Sequence, residues 1–353
     1  MFSPILANYY ITYRCNAQCR ICDIWNSAKY QNIPDAKLDN VKQNLHALKK
    51  IGVRFIDFTG GEPLLHHDLS DMLKYARKLR IKTSVTTNCI SYPYQAEALK
   101  GLVDYLHFSM DSIEEKHHNF FRGTDCFDSV MESLLIADKL GEKPDILFTV
   151  TEDNWHETEE MIHFCQERKI VLIINPVFTH VANREVSDKI LRYLDHISSR
   201  PYVYVNKAFN RLRRNLGNSI SSPRCRAVSS TVVISPDNKM LLPCFHHYNL
   251  ALPVKNLYRL HKKPVTRWYR KMQGRFNFCK GCSINCYFDP SFQYKLDAYF
   301  LESIAAKAKY WFDKNLRPKL REEESSAFTY KYLSDISNKK STIQTINVVD
   351  DER

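Results

Sequence analysis

Three cysteines, Cys15, Cys19 and Cys22, stand in C-x3-C-x2-C spacing. Thiolates that close together on one loop can hold a metal, but a structural zinc or a saturated [4Fe–4S] cluster takes four protein ligands. The spacing leaves three alternatives: a zinc knuckle completed by a distant residue, a Cys19/Cys22 dithiol, or a metal position open to a ligand. A second set, Cys225, Cys244, Cys279, Cys282 and Cys286, reads C-x18-C-x34-C-x2-C-x3-C. Two isolated cysteines followed by C-x-x-C suit a structural zinc or an iron–sulfur cluster, and His246 and His247 behind Cys244 admit a mixed set. Cys126 and Cys165 sit in helical text and read as packing residues.

These loops need a scaffold, and hydrophobic periodicity supplies one. Strands are expected at Leu6–Thr12, Val53–Thr59, Lys82–Thr87, Tyr105–Met110, Asp145–Val150 and Val171–Pro176. Helices are expected near 36–50, 67–79, 94–101, 127–140, 156–168 and 187–199. Six β/α repeats make an α/β protein with a parallel sheet, open or partly closed as a (β/α)6 TIM-like barrel, whose chemistry belongs at the C-terminal strand ends. Cys15 follows the first strand and Gly60-Gly61-Glu62-Pro63 the second. Residues 1–205 form the core in this reading, and the polar, basic text of 206–222 a linker. A smaller α+β, cysteine-rich domain over 223–290 opens with a hairpin, Thr231–Ser235 and Met240–Leu242 around Pro236-Asp237-Asn238. A helix lies within 291–321, and 322–353 reads as a disordered tail.

Composition excludes whole classes. Of 353 residues 44% are hydrophobic and 25% charged, which is ordinary for a globular protein. No stretch approaches 18 consecutive apolar residues, and Met1–Tyr13 lacks a basic n-region, so the expectation is cytoplasmic. In a reducing compartment, eleven cysteines point to metal or redox chemistry rather than disulfides. The aromatic stripe of the last helix reads as core or a docking face rather than peripheral membrane contact. Charge is regional: residues 206–280 carry 16 Lys and Arg against one acid, Asp237, while the rest carries 35 basic and 38 acidic residues. Such a field favours an anionic partner.

Together, C-x3-C-x2-C after strand one and Gly-Gly-Glu-Pro after strand two resemble the radical S-adenosylmethionine (radical SAM) superfamily. The resemblance implies that Cys15, Cys19 and Cys22 ligate three irons of a [4Fe–4S] cluster and that S-adenosylmethionine chelates the fourth. It implies that Gly60, Gly61 and Glu62 receive the methionine amino group and that the backbone of Ile21 meets adenine. Thr87-Asn88 resembles a Thr-Asn-Gly motif with Cys89 in place of glycine. Ser109-Met110-Asp111, Arg122-Gly123, and Thr149, Thr151 and Asn154 resemble further cofactor-side groups. An external low-potential reductant of the flavodoxin or ferredoxin type would supply the electron.

The second cysteine set resembles the SPASM or one-cluster Twitch auxiliary region. That implies one auxiliary [4Fe–4S] cluster on Cys225, Cys244, Cys279 and Cys282, with Cys286 spare or replacing Cys282. Relatives of this kind modify peptides, protein side chains, cofactor precursors and sugars. The basic segment tilts the substrate toward an anionic small molecule or a peptide; nucleic acid is not the expected partner. The competing class is a non-enzymatic iron–sulfur or zinc protein for electron transfer or nucleic-acid binding, which needs neither an open iron nor a Gly-Gly-Glu-Pro loop.

Overall fold

The computed structural model describes residues 3–178 and 186–317; the tail expected at 322–353 lies outside them. One ten-stranded sheet organises the chain: β1 Leu6–Thr12, β2 Phe55–Gly60, β3 Lys82–Thr87, β4 Tyr105–Ser109, β5 Asp145–Val150, β6 Leu172–Pro176, β7 Val203–Tyr204, β8 Thr231–Ile234, β9 Lys239–Leu242 and β10 Leu250–Pro253. Its order is β10-β9-β8-β1-β2-β3-β4-β5-β6-β7, so it has two edges and does not close. Neighbours from β8 through β7 pair in parallel, whereas β9 and β10 add antiparallel strands. This is the partial barrel the repeats predicted.

Period-two alternation gives each strand its two faces. Tyr9 and Ile11, Ile56 and Phe58, Phe108, Phe148 and Ile174 join the main core. Helix positions Val41, Leu45 and Leu48, spaced by four and three, pack against that layer. Several alternate positions are polar: Ser84 Oγ donates to Asp57 at 3.0 Å, and Thr86 Oγ1 lies 3.3 Å from His107 Nδ1. The inner face of the sheet thus mixes these polar groups with Tyr10, Leu147 and Ile173.

The structure revises three expectations and details a fourth. The stretch 206–222, read as a linker, contains the helix Lys207–Arg214, whose Ala208, Phe209 and Leu212 are buried. The strand opening the cysteine-rich region pairs directly with β1, so the sheet continues across the expected boundary at 223. An additional helix, Glu115–Arg122, precedes Phe127–Lys139 after β4. The last helix spans Ala298–Asn315 and docks through aromatic and polar groups together: buried Tyr299 stacks on Phe292 with centroids 5.3 Å apart, and Tyr310 meets Tyr204 at 5.6 Å. Buried Asp313 accepts from the Tyr202 amide at 3.1 Å, and Tyr310 and Lys314 reach buried Asp145 at 2.6 and 2.8 Å. Leu301, Ile304 and Trp311 stay exposed. Among the described residues no helix is long and apolar enough to cross a membrane.

The basic segment is partly neutralised by acids distant in sequence: Arg211 pairs with Glu302, Arg214 with Asp195 and Arg224 with Asp297. Its regional charge is therefore smaller in the fold than in the sequence.

Candidate functional site

The first cysteine loop leaves the C-terminal end of β1, and neighbouring loops press on it from two sides. The Gly61 and Glu62 amides donate to the carbonyls of Thr12 (3.0 Å) and Arg14 (2.8 Å), just before Cys15. A Cβ at Gly60 would come 1.8 Å from the Thr12 carbonyl oxygen, and one at Gly61 2.2 Å from that of Arg14. Paired glycines are what let the β2 loop run this close beneath the cysteines. From the other side, the last carbonyls of the helix Glu115–Arg122 accept from the loop: Gln18 N–H donates to Arg122 and Arg20 N–H to Phe121, both at 3.0 Å. At Gly123 the chain takes φ +62°, and a Cβ there would lie 2.3 Å from the Gln18 carbonyl oxygen.

Cys15, Cys19 and Cys22 are all half-buried. Burial pushes the Cys15 thiol up to about 12 and the Cys22 thiol up to about 11. Thiols so placed become thiolates when a cation compensates them, as a metal centre does. Arg122 Nη1 approaches the Cys19 sulfur at 3.8 Å.

The strand-end residues lie beside this loop, and most are already engaged. Glu62 is buried, its Oε1 accepting from Leu64 N at 3.0 Å and its Oε2 from Asn88 N at 2.8 Å; burial raises its pKa to about 7. It therefore ties the β2 loop to the end of β3. Asn88 Nδ2 donates to Asn16 Oδ1 at 2.8 Å, joining β3 to the cysteine loop. Cys89, standing where the motif has glycine, takes the left-handed conformation itself at φ +71°, so the turn survives the substitution. Asp111 accepts from Thr149 N at 3.2 Å and pairs with Arg122 at 2.8 Å. Asn154 caps its own turn: its Oδ1 accepts from the amide and hydroxyl of Thr151, and its Nδ2 donates to the Thr149 carbonyl. Ser109 is buried at the end of β4, and Ile21 packs at the edge of the main core.

The second site is built differently. Cys225, Cys244, Cys279 and Cys282 line one small cavity together with Ala227, Pro243, Gly274, Ile284, Tyr287 and His247, so of the two histidines that admit a mixed set His247 is at the cavity. Cys286 does not line it; its exposed side chain lies toward Tyr10 and Asp57. The five-cysteine expectation becomes four thiols together and one apart. Burial raises all four, Cys244 to about 12 and Cys282 to about 11. Among the described residues, only His66, His67 and Asp68 bring three potential ligand atoms within 4.8 Å of one another. Both ring nitrogens of His66 are engaged there, with the Ala36 carbonyl and the Asp68 amide. The four thiols are thus spread wider than the roughly 3.8 Å sulfur separation that follows from zinc–sulfur bonds of about 2.3 Å.

The organiser of this cavity, Asn218, carried no motif in the sequence. Its Nδ2 donates to the carbonyls of Gly274 (2.8 Å) and Cys279 (3.1 Å), and its Oδ1 accepts from the amides of Arg224 (3.0 Å) and Cys225 (3.2 Å). Its backbone bonds Cys282 and Gly281. One buried asparagine thus joins both halves of the ligand set. Between the two sites lies an aromatic wedge: Phe245, next to Cys244, stacks on Tyr10 with centroids 3.9 Å apart, and Tyr13 meets Tyr30 at 4.7 Å.

Comparison with known proteins agrees with this architecture. Residues 9–165 match the family described as the Radical SAM superfamily. A protein of Sulfurisphaera tokodaii named Probable GTP 3',8-cyclase is 24% identical over 70% of this chain and 83% of its own length. GTP 3',8-cyclase 2 of Mycobacterium tuberculosis is 29% identical over 45% of this chain, which spans about half of that relative (46%). Among solved structures, Streptococcus suis SuiB bound to the precursor peptide SuiA superposes with TM-score 0.62 at 18% identity, over 80% of this chain and 70% of that one. Native anSMEcpe with bound AdoMet superposes with TM-score 0.60 at 17% identity, over 88% and 97%. At these identities the structural likeness speaks for the fold.

Proposed function

We propose, on the premise that this chain carries a radical SAM domain and is an enzyme of that superfamily, that it modifies an anionic small molecule or a peptide with the help of an auxiliary iron–sulfur cluster. The residues at the two centres suit those groups: three half-buried thiols on a clamped loop, and four thiols, two buried and two half-buried, around one small cavity. When bound, the first cluster and S-adenosylmethionine supply reductive cleavage to a 5′-deoxyadenosyl radical, which takes a hydrogen atom from the substrate.

The chain's own part is positioning and exclusion. Cys15, Cys19 and Cys22 would hold three irons and leave the fourth to S-adenosylmethionine. The Gly60-Gly61 turn and Glu62 fix the floor of that position, and Asn88 braces the loop from β3. Tyr10, Tyr13, Tyr30 and Phe245 form one buried apolar cluster beside both cysteine segments, and an apolar wall suits a reactive carbon radical. Cys225, Cys244, Cys279 and Cys282 would saturate the auxiliary cluster, which favours electron acceptance over substrate ligation. Asp57, its pKa raised by burial to about 6, offers a lumen-side base for the proton that net oxidation releases.

The convergence of four thiols on one cavity carries this reading. The curated relatives named for GTP cyclisation make a nucleoside triphosphate one candidate among anionic substrates. Anaerobic reconstitution with iron and sulfide, iron quantitation and a dithionite assay for 5′-deoxyadenosine test it. The wild type should carry about eight irons and a Cys15/Cys19/Cys22→Ala variant about four, with nucleoside only from the wild type. Zinc in place of the second four irons would remove the electron-accepting role, and failure to bind S-adenosylmethionine would remove the enzymatic one.

A further inference from the structure

The resemblance assigns Asp111 and Arg122 to the cofactor side, yet the fold spends them on each other and on a cysteine. Arg122 closes the helix whose carbonyls clamp the cysteine loop, and it is only 8% exposed. One end of its guanidinium meets Asp111 at 2.8 Å and the other meets the Cys19 sulfur at 3.8 Å. Its Nε is buried and has no hydrogen-bond partner among the described residues, so the protein does not saturate it. The other oxygen of Asp111 is anchored by the Thr149 amide at 3.2 Å.

A neutral histidine backs this pair. His118 Nδ1 accepts from the Asp111 amide at 3.2 Å, and its Nε2 lies 3.3 Å from the Cys126 sulfur. Burial, reinforced by the Arg122 charge, lowers its pKa to about 3. Arg122 is therefore the cation of this cluster of side chains, and it stands on the sulfur side.

We propose that Arg122, pinned by Asp111, is a positioning residue that sets the reduction potential of the cluster on Cys15, Cys19 and Cys22 by donating to the Cys19 sulfur. The inference rests on the cluster reading given above. Charge and hydrogen bonds at the ligand sulfurs are established levers on iron–sulfur potentials. A cation at the sulfur favours the reduced, more negative cluster and so raises its potential. The Asp111 carboxylate behind it moderates that effect.

The two members of the pair therefore have opposite signs. The test is an EPR-monitored redox titration of the reconstituted full-length protein without S-adenosylmethionine. The spectrum of the Cys15/Cys19/Cys22→Ala variant is subtracted to remove the auxiliary centre. Arg122→Gln should shift the potential negative by about 59 mV or more, a tenfold change in a one-electron equilibrium. Arg122→Lys, which keeps the charge, should shift it less. Asp111→Asn should shift it positive. Unchanged potentials, or shifts of one sign in both Arg122→Gln and Asp111→Asn, would overturn the inference, because a merely structural role loosens the loop in either variant. Should Arg122→Gln not load iron, the Lys and Asn variants decide by the same signs. A triple cysteine variant that loses neither iron nor signal would instead defeat the cluster reading itself.

Discussion

The two cysteine sites share a sheet and differ in how they are made. The first is local: three thiols within one short loop, held from outside by the Gly60-Gly61 turn, by Asn88 and by the carbonyls of the helix Glu115–Arg122. The second is assembled from segments far apart in sequence, and Asn218 ties them together from within. A local loop with external clamps would leave one side of a bound metal open for a ligand. Three converging segments would close on theirs. An open site suits chemistry at the metal, and a closed site suits electron transfer or structure.

The sharpest way to break this comparison is to remove one ligand from each site. Cys19→Ala should abolish 5′-deoxyadenosine formation, a fall of more than about a thousandfold, or roughly 4 kcal/mol of barrier. Cys244→Ala should leave reductive cleavage measurable while halving the iron content. Equal loss of nucleoside in both variants would mean that the sites are not separable in this way.

The clamps come next. Gly61→Ala places a methyl group 2.2 Å from the Arg14 carbonyl oxygen, so backbone must move. The expected cost is about 3 kcal/mol or more, with iron lost from the first site and retained in the second. Differential iron counts against the two cysteine variants check this.

Asn218→Ala should do the reverse. It leaves the Cys225 and Arg224 amides and the Gly274 and Cys279 carbonyls without their buried partner. Each unsatisfied group costs about 1–3 kcal/mol, partly recovered if water enters, so a net loss of about 2–3 kcal/mol is expected. The auxiliary centre should load poorly while nucleoside formation persists. Asn218→Asp, which keeps only the acceptor half, should fall between.

The same contrast explains what could be read without coordinates. The first site was legible because its parts are short motifs at the ends of strong strands: β1, β3 and β5 fall on their expected bounds. The four auxiliary thiols were legible as spacing, whereas Asn218 was not, since a buried amide bridging residues far apart in sequence leaves no local signal. The text of 206–222 looks like a linker because Arg211, Arg213 and Arg214 dominate it. Their partners Glu302, Asn285 and Asp195 arrive only in the fold. β7, with two residues, and β10, with four, are too short for periodicity to register. The last helix was legible as a docking element from its aromatic residues, of which Tyr299 and Tyr310 make contacts, whereas the ion pairs of Asp313, Lys309 and Lys314 left no local signal.

The smallest effect separates the sites by pH. His118 sits behind the first clamp, and its folded pKa of about 3 lies below the ordinary 6.5. Between those values the native state binds fewer protons than the unfolded chain. Stability from this group is therefore complete above pH 6.5 and lost as pH falls toward 3, by at most about 1.4 kcal/mol per unit. Glu62 and Asp57 act oppositely: their folded pKa values, about 7 and about 6, are raised, so each loses stability as pH rises from the ordinary carboxylate range through those values. The opposing slopes overlap between roughly pH 4.5 and 6.5, which flattens the wild-type profile. His118→Gln removes one slope and exposes the other. Anaerobic urea unfolding at pH 5.5 and 7.5 should show the variant gaining on the wild type at the lower pH by about 1 kcal/mol. Parallel profiles for the two proteins would show that His118 is not held neutral, and Arg122 would then share its place behind the first cysteine loop with a second cation.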